Sequence, residues 1–295
     1  MILPPQKKIV VIGDIHGDLT ACLIVLKKAN LISVKKGSNG IDIDWVAPSG
    51  TIVVQIGDQI DRAVRLMDSQ DIPDEDNDLM ILQLFDKLDN LAQKKGSRVI
   101  SLLGNHELMN VYGDMTYVSP AGIIGMGGYD ARVEKFKPGG EICMNHLIHR
   151  PVVLKIGDWV FCHAGVRPYL ANKYSIQLIN GVMRIFLSGN LKPSDVNMHI
   201  FNELFISENS ILWNRKYGKP SLRTNDKDIQ TSLKRLKAKY MVIGHTPYRE
   251  KGIHRVGNIF RVDCALSQSF GRHQSTKELQ LLEILDNGNT IKIIS

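Results

Sequence analysis

Six side chains suited to binding divalent metal ions close five apolar runs of this chain. Asp14 and His16 end IVVIGDIHG (Ile9 to Gly17), and Asp58 ends the apolar part of IVVQIGDQIDR (Ile52 to Arg62). Asn105 stands in VISLLGNHE (Val99 to Glu107), His163 in WVFCHAG (Trp159 to Gly165) and His245 in YMVIGHT (Tyr240 to Thr246). One such ending says little, since GD and GN occur at ordinary turns and a lone histidine is usually structural. Five in succession, each behind a β-type run, point jointly to a metal site. Oxygen and imidazole donors without a patterned thiolate suit borderline ions such as Mn, Fe or Zn. Two divalent ions against two carboxylates and four neutral donors leave roughly two positive charges, which match a phosphate dianion.

The elements that must position these residues read as α/β. Short β-rich runs alternate with helical patterns over Leu19 to Asn30 and Asp78 to Lys95. Leu79, Leu82, Phe85, Leu88, Leu91 and Ala92 recur at helical spacing, Asn77 or Asp78 can cap the start and Gly96 can end the helix. Ligands gather beyond the carboxyl ends of strands in such sheets, so five ends on one edge would bring the side chains together. Gly13, Gly57, Gly104 and Gly244 stand just before ligands, where a missing Cβ allows a sharp turn. The glycine-rich stretch from Gly122 to Gly140 reads as a loop or irregular insertion. Helical stretches follow over Ile176 to Leu187 and Val196 to Ile206, then a polar segment over Lys216 to Asp226, a last helix and strands. Asn287 and Gly288 suit a hairpin turn between Leu279 to Leu285 and Thr290 to Ile294. No repeat or linker interrupts the chain, so one domain over residues 1–295 is expected.

Composition narrows the partners. The formal charge is +7 over 295 residues, but lysines come in scattered pairs such as Lys94 and Lys95, without a basic block. Nucleic-acid binding is not expected. No apolar run approaches the ~20 residues of a membrane span, and the start lacks the long apolar stretch of a secretory signal, so a cytoplasmic location is expected. Cys22, Cys143, Cys162 and Cys264 form no CxxC pair and read as reduced thiols.

GDIHG, GDQIDR, GNHE, CHAG and GHT, in this order, resemble the phosphoprotein phosphatase branch of the calcineurin-like metallophosphoesterases. LMNVYGDMTYVSP (Leu108 to Pro120), FKPGG (Phe136 to Gly140) and RPVVLKIGDWVFCHAG (Arg150 to Gly165) are similar to its bacterial-like Shewanella-like protein phosphatases. The resemblance implies a four-layer sandwich, a central β-sandwich flanked by helices. It implies two divalent ions, Mn first with Fe or Zn as alternatives, one held by Asp14, His16 and Asp58 and the other by Asp58, Asn105, His163 and His245. A bridging carboxylate can span ions ~3.5–4 Å apart, and a water shared between them becomes a hydroxide nucleophile near neutral pH. His106 matches the family's general acid and Asp61 the carboxylate that orients it. Arg62, Asn105 and Arg215, the last in ILWNR, match groups that contact substrate phosphate; Arg132 is a weaker candidate. Ala164, Ala63 and Pro247 depart slightly from common family residues, and Cys264 stands where many relatives carry a site aromatic.

The activity implied is hydrolysis of phosphate monoesters on a phosphorylated protein, at Ser/Thr, Tyr or both. An alternative is a dinucleoside polyphosphate hydrolase, whose third motif usually ends as GNHD where this chain has Glu107. A phospho-binding pseudophosphatase is a reading of another class, disfavoured because every metal and general-acid position carries a competent residue. No feature of the sequence encodes a regulatory subunit.

Overall fold

Runs of Val, Ile and Leu bounded by turn residues fold as strands because β-branched side chains pack well on a pleated surface. The computed structural model describes residues 1–37, 40–65, 72–191 and 196–295. Its strands are β1 (Ile2–Leu3), β2 (Lys8–Ile12), β3 (Ile32–Gly37), β4 (Gly40–Trp45), β5 (Thr51–Gln55), β6 (Arg98–Ser101), β7 (Val153–Ile156), β8 (Trp159–Cys162), β9 (Tyr240–Ile243), β10 (His254–Val256), β11 (Ile259–Arg261), β12 (Leu281–Leu285) and β13 (Thr290–Ile294). Among the described residues, one sheet runs β13-β12-β2-β5-β6 and the other β1-β7-β8-β9-β11-β10, with β3 and β4 pairing separately.

The strands that lead to the site are parallel within each sheet. Val10 pairs with Val53 and Val53 with Val99 across β2, β5 and β6, while Val160 pairs with Met241 across β8 and β9. The five ends therefore do not share one sheet edge, as the sequence suggested. Three come from one sheet and two from the other, and they converge because the sheets pack face to face.

Alternation along the strands builds the layers. Leu154, Phe161, Val242 and Phe260 join the core between the sheets, whereas Val153, Val160, Met241 and Ile259 face a second core. That second core is closed by the helix Ile176–Leu187 and by Phe201, Leu204, Leu212 and Leu233. On the far side, helices α1 (Leu19–Lys28) and α2 (Asp78–Gln93) bury Val25, Leu26, Phe85 and Leu88 against the first sheet. Each such side chain contributes ~1.5–3 kcal/mol on leaving water. The order helices, sheet, sheet, helices is the expected four-layer arrangement.

One expectation fails locally, and one element was unforeseen. The stretch from Gly122 to Gly140 contains helices Pro120–Gly125 and Tyr129–Phe136. Ser119 caps the first by accepting from Gly122 N at 3.2 Å, and Pro120 suits its first turn. Glycine content hid these short helices, and the hairpin β3–β4 escaped notice because Lys and Asp occupy it. The four cysteines are buried and none is in a disulfide.

Candidate active site

The site begins at turns whose backbone is strained. His16, Asp58, Asp61 and His245 all have positive φ, between 44° and 74°, a region non-glycine residues enter at a cost and that recurs at functional sites. The preceding glycines serve a purpose other than the expected turn. Only Gly57 has positive φ among the four; the others allow close approach. A Cβ on Gly13 would lie 2.3 Å from Val262 O, one on Gly104 2.1 Å from Asp58 Oδ1, and one on Gly244 2.1 Å from Asp14 Oδ1.

Glu107 gathers these turns. It is fully buried on the helix α3 (Asn105–Val111), and its carboxylate accepts from Asp58 N at 3.0 Å, Gln59 N at 2.7 Å and Gly104 N at 2.7 Å. It thereby ties the loop after β5 to the loop after β6. Burial and the nearby Asp58 raise its pKa.

The expected metal residues come together around Asp58. Asp58 Oδ2 lies 3.1 Å from His163 Nε2 and 3.8 Å from both His16 Nε2 and His106 Nε2. His163 Nε2 is also 2.9 Å from Asn105 Oδ1, and its Nδ1 faces Ile56 O at 3.1 Å. A carbonyl partner on Nδ1 fixes the proton there and leaves the Nε2 lone pair free for a cation. Burial alone would raise the Asp58 carboxyl, but the imidazoles of His163, His106 and His16 outweigh it and hold it well below the usual range. Burial drives His16 and His245 well below the ordinary imidazole value, aided by Arg65 and by His163 respectively. Both stay neutral and present lone pairs.

These donors fit divalent ions. Atoms of His16, Asp58 and His106 lie within 4.8 Å of one another, as do those of Asp58, His163 and His245. Ligands at right angles ~2.1 Å from one ion stand about 3 Å apart, close to the separations around His163 Nε2. Asp14 is buried and belongs to neither of these two groups; its Oδ2 accepts from His245 N at 2.9 Å. Asp14 Oδ1 and His245 Nε2 are buried without a hydrogen-bond partner, a costly state for polar atoms that a cation would relieve.

His106 is set up for proton transfer. Its Nδ1 lies 2.7 Å from Asp61 Oδ2, leaving Nε2 toward the cavity. Asp61 is itself held by Asn110 Nδ2 at 2.8 Å and, more loosely, by Arg132 at 3.4 Å. Arg132, fully buried, also donates to Asp78 at 2.8 Å and Asn110 Oδ1 at 2.8 Å. Burial by itself would lower the His106 pKa, yet the carboxylates of Asp58 and Asp61 raise it above the ordinary imidazole value.

A cavity of about 530 Å³ opens over this cluster. Exposed Arg215 lines it and donates to His245 O at 3.2 Å. Arg62 does not. Its guanidinium is buried 3.0 Å from Asp18 Oδ2, beneath the turn that Asp61 makes with φ 74°. Arg65, which sequence reasoning missed, takes the wall instead: it donates to Ala63 O, Ser269 Oγ and Asp61 O, and lies over the rings of Tyr117 and Phe270. No motif signals it, because the reversal at Asp61 decides which arginine returns to the mouth. Asp263 also lines the cavity, its pKa pushed up to about 6 by burial. Cys264 is buried, and Phe270 supplies the aromatic wall.

The profile of the calcineurin-like phosphoesterases matches residues 7–249. The chain is 31% identical to Shewanella-like protein phosphatase 1 of Plasmodium berghei over 268 residues, spanning 88% of this chain and 67% of that one. It is 27% identical to Shewanella-like protein phosphatase 2 of Arabidopsis thaliana, over 89% of this chain and 72% of the other. Among solved structures, the cold-active protein-tyrosine phosphatase of a psychrophilic Shewanella superposes with a TM-score of 0.72 at 22% identity, over 100% of this chain and 82% of that one.

Proposed function

We propose that this chain, which belongs to the calcineurin-like phosphoesterase family, is a metal-dependent protein phosphatase that acts as one unit over residues 1–295 and cleaves phosphate monoesters on phosphorylated proteins. The observation that carries the reading is the convergence of Asp58, His16, His163 and His245 beside the paired His106 and Asp61, under one open cavity. The names of the Plasmodium and Arabidopsis relatives support a protein substrate.

We assign Asp14, His16 and Asp58 to one divalent ion and Asp58, Asn105, His163 and His245 to the other, with manganese as the first metal to try. When bound, such ions supply a nucleophilic water and charge stabilisation at the phosphoryl oxygens. The chain's own groups supply the rest. His106 Nε2 carries the proton for the departing ester oxygen, and Asp61 holds the ring in the tautomer that allows it. Arg65 and Arg215 flank the cavity as phosphate donors, suited by their planar forks. Stacking on Tyr117 and Phe270 keeps Arg65 oriented toward the mouth. Arg62 braces the Asp61 turn from below.

Matched phosphoserine, phosphothreonine and phosphotyrosine peptides and diadenosine tetraphosphate, each with Mn, test the reading. Peptide turnover that vanishes in Asp58→Asn supports it. Preferred cleavage of the dinucleotide, or an active Asp58→Asn protein, overturns it.

A further inference from the structure

A second cavity, of about 480 Å³, runs along the edge strand β6 and shares no lining residue with the cavity over the metal cluster. Its floor carries Arg150, which is 7% exposed. Arg150 Nη1 donates to Gln59 Oε1 at 2.6 Å and Nε to His146 O at 2.8 Å, but Nη2 is buried with no hydrogen-bond partner. The nearest carboxylate oxygen, Asp86 Oδ1, is 3.7 Å from Nη2, beyond hydrogen-bond reach, while Asp86 Oδ2 is held by His146 Nδ1 at 2.5 Å.

Most other side-chain charges around the cavity are engaged, and the Met1 ammonium, which also lines it, donates to Val153 O at 3.0 Å. Arg98 forms a two-point contact with Asp89 at 2.9 and 3.1 Å, as His146 does singly with Asp86. Arg150 has only its loose 3.7 Å contact to Asp86, and Arg184 is exposed with no ion pair among the described residues. Leaving a buried guanidinium donor unmet is expensive, and an anion with several acceptor oxygens meets two arginines at once.

We propose that this cavity binds a small phosphate-type dianion, recognised by Arg150 Nη2 and Arg184 with Ser101 Oγ in reach of the floor. Gln59 transmits its presence. The same residue accepts from Arg150, donates through Nε2 to Ser101 Oγ at 3.0 Å, and shares the Glu107 carboxylate with Asp58 N. Occupancy stiffens the loop that holds Asp58, so the anion and the metals assist each other's binding, reciprocally by linkage.

Equilibrium dialysis of the Mn-loaded protein against radiolabelled inorganic phosphate, and separately against phenylphosphonate as a non-hydrolysable organic phosphate, tests the site without relying on turnover. Wild type takes up a second equivalent of at least one probe beyond the equivalent lost in Asp58→Asn. Arg184→Ala, altered only at an exposed side chain, and Arg150→Met bind that second equivalent roughly tenfold or more weakly. A single equivalent in wild type, or an unchanged second equivalent in Arg184→Ala, overturns the proposal. Which probe binds distinguishes free phosphate from a phosphorylated small molecule.

Discussion

His106 Nδ1 and Asp61 Oδ2 lie 2.7 Å apart with both side chains buried, although His106 stands on helix α3 and Asp61 in the loop after β5. The contact exists because α3 begins at Asn105 and the Asp61 turn runs beneath it. A carboxylate there stabilises the imidazolium, which must be protonated to act as an acid.

Activity should therefore fall at high pH as His106 loses its proton, at a pH above the ordinary imidazole value because its pKa is raised. In Asp61→Asn that support is gone, so the falling limb of kcat/KM moves to lower pH and kcat drops about a hundredfold or more. A pH profile with an unmoved limb would show that Asp61 does not set the proton affinity of His106.

The two neighbouring arginines should separate cleanly. Arg65→Ala removes charged donors from the cavity wall and lowers kcat/KM roughly 10–100-fold, with a smaller fall in Tm than Arg62→Ala because no buried carboxylate loses its cation. Arg62→Ala removes the cation beside buried Asp18, which keeps only its bonds from Ala21 N and Gln268 N, and so lowers Tm by several degrees. Thermal melts and steady-state kinetics on both variants check the pair, and the reverse pattern would return the phosphate role to Arg62.

Glu107→Gln should weaken metal retention. The amide keeps one acceptor oxygen and turns its NH2 toward either Gln59 N or the pair Asp58 N and Gly104 N, which the carboxylate now accepts from. Loss of such a supporting contact typically lowers metal affinity about 10–100-fold. Elemental analysis after dialysis reads this directly, and full metal content in the variant would refute it.

Gly244→Ala should act on the same quantity by a different route. The added methyl would stand 2.1 Å from Asp14 Oδ1, so either the carboxylate or the His245 loop must shift. Mn titration by calorimetry should show one of two binding events weakened, and a wild-type isotherm would mean the loop yields without disturbing Asp14.

The chain by itself singled out the candidate metal donors, because each follows a β-type apolar run and the motif letters are local. Helices such as Asp78–Gln93 and Ile176–Leu187 were equally legible, since burying one face imposes a period on nearby residues. Tertiary packing decided the remainder. That the five strand ends belong to two sheets follows from contacts hundreds of residues apart, such as His245 N to Asp14 Oδ2. The choice of Arg65 over Arg62, the place of Arg132 behind Asp61, and the unmet donor of Arg150 depend on which way a turn directs a side chain. Sequence spacing carries no record of that direction, because it is set by the backbone angles and the neighbours that packing supplies.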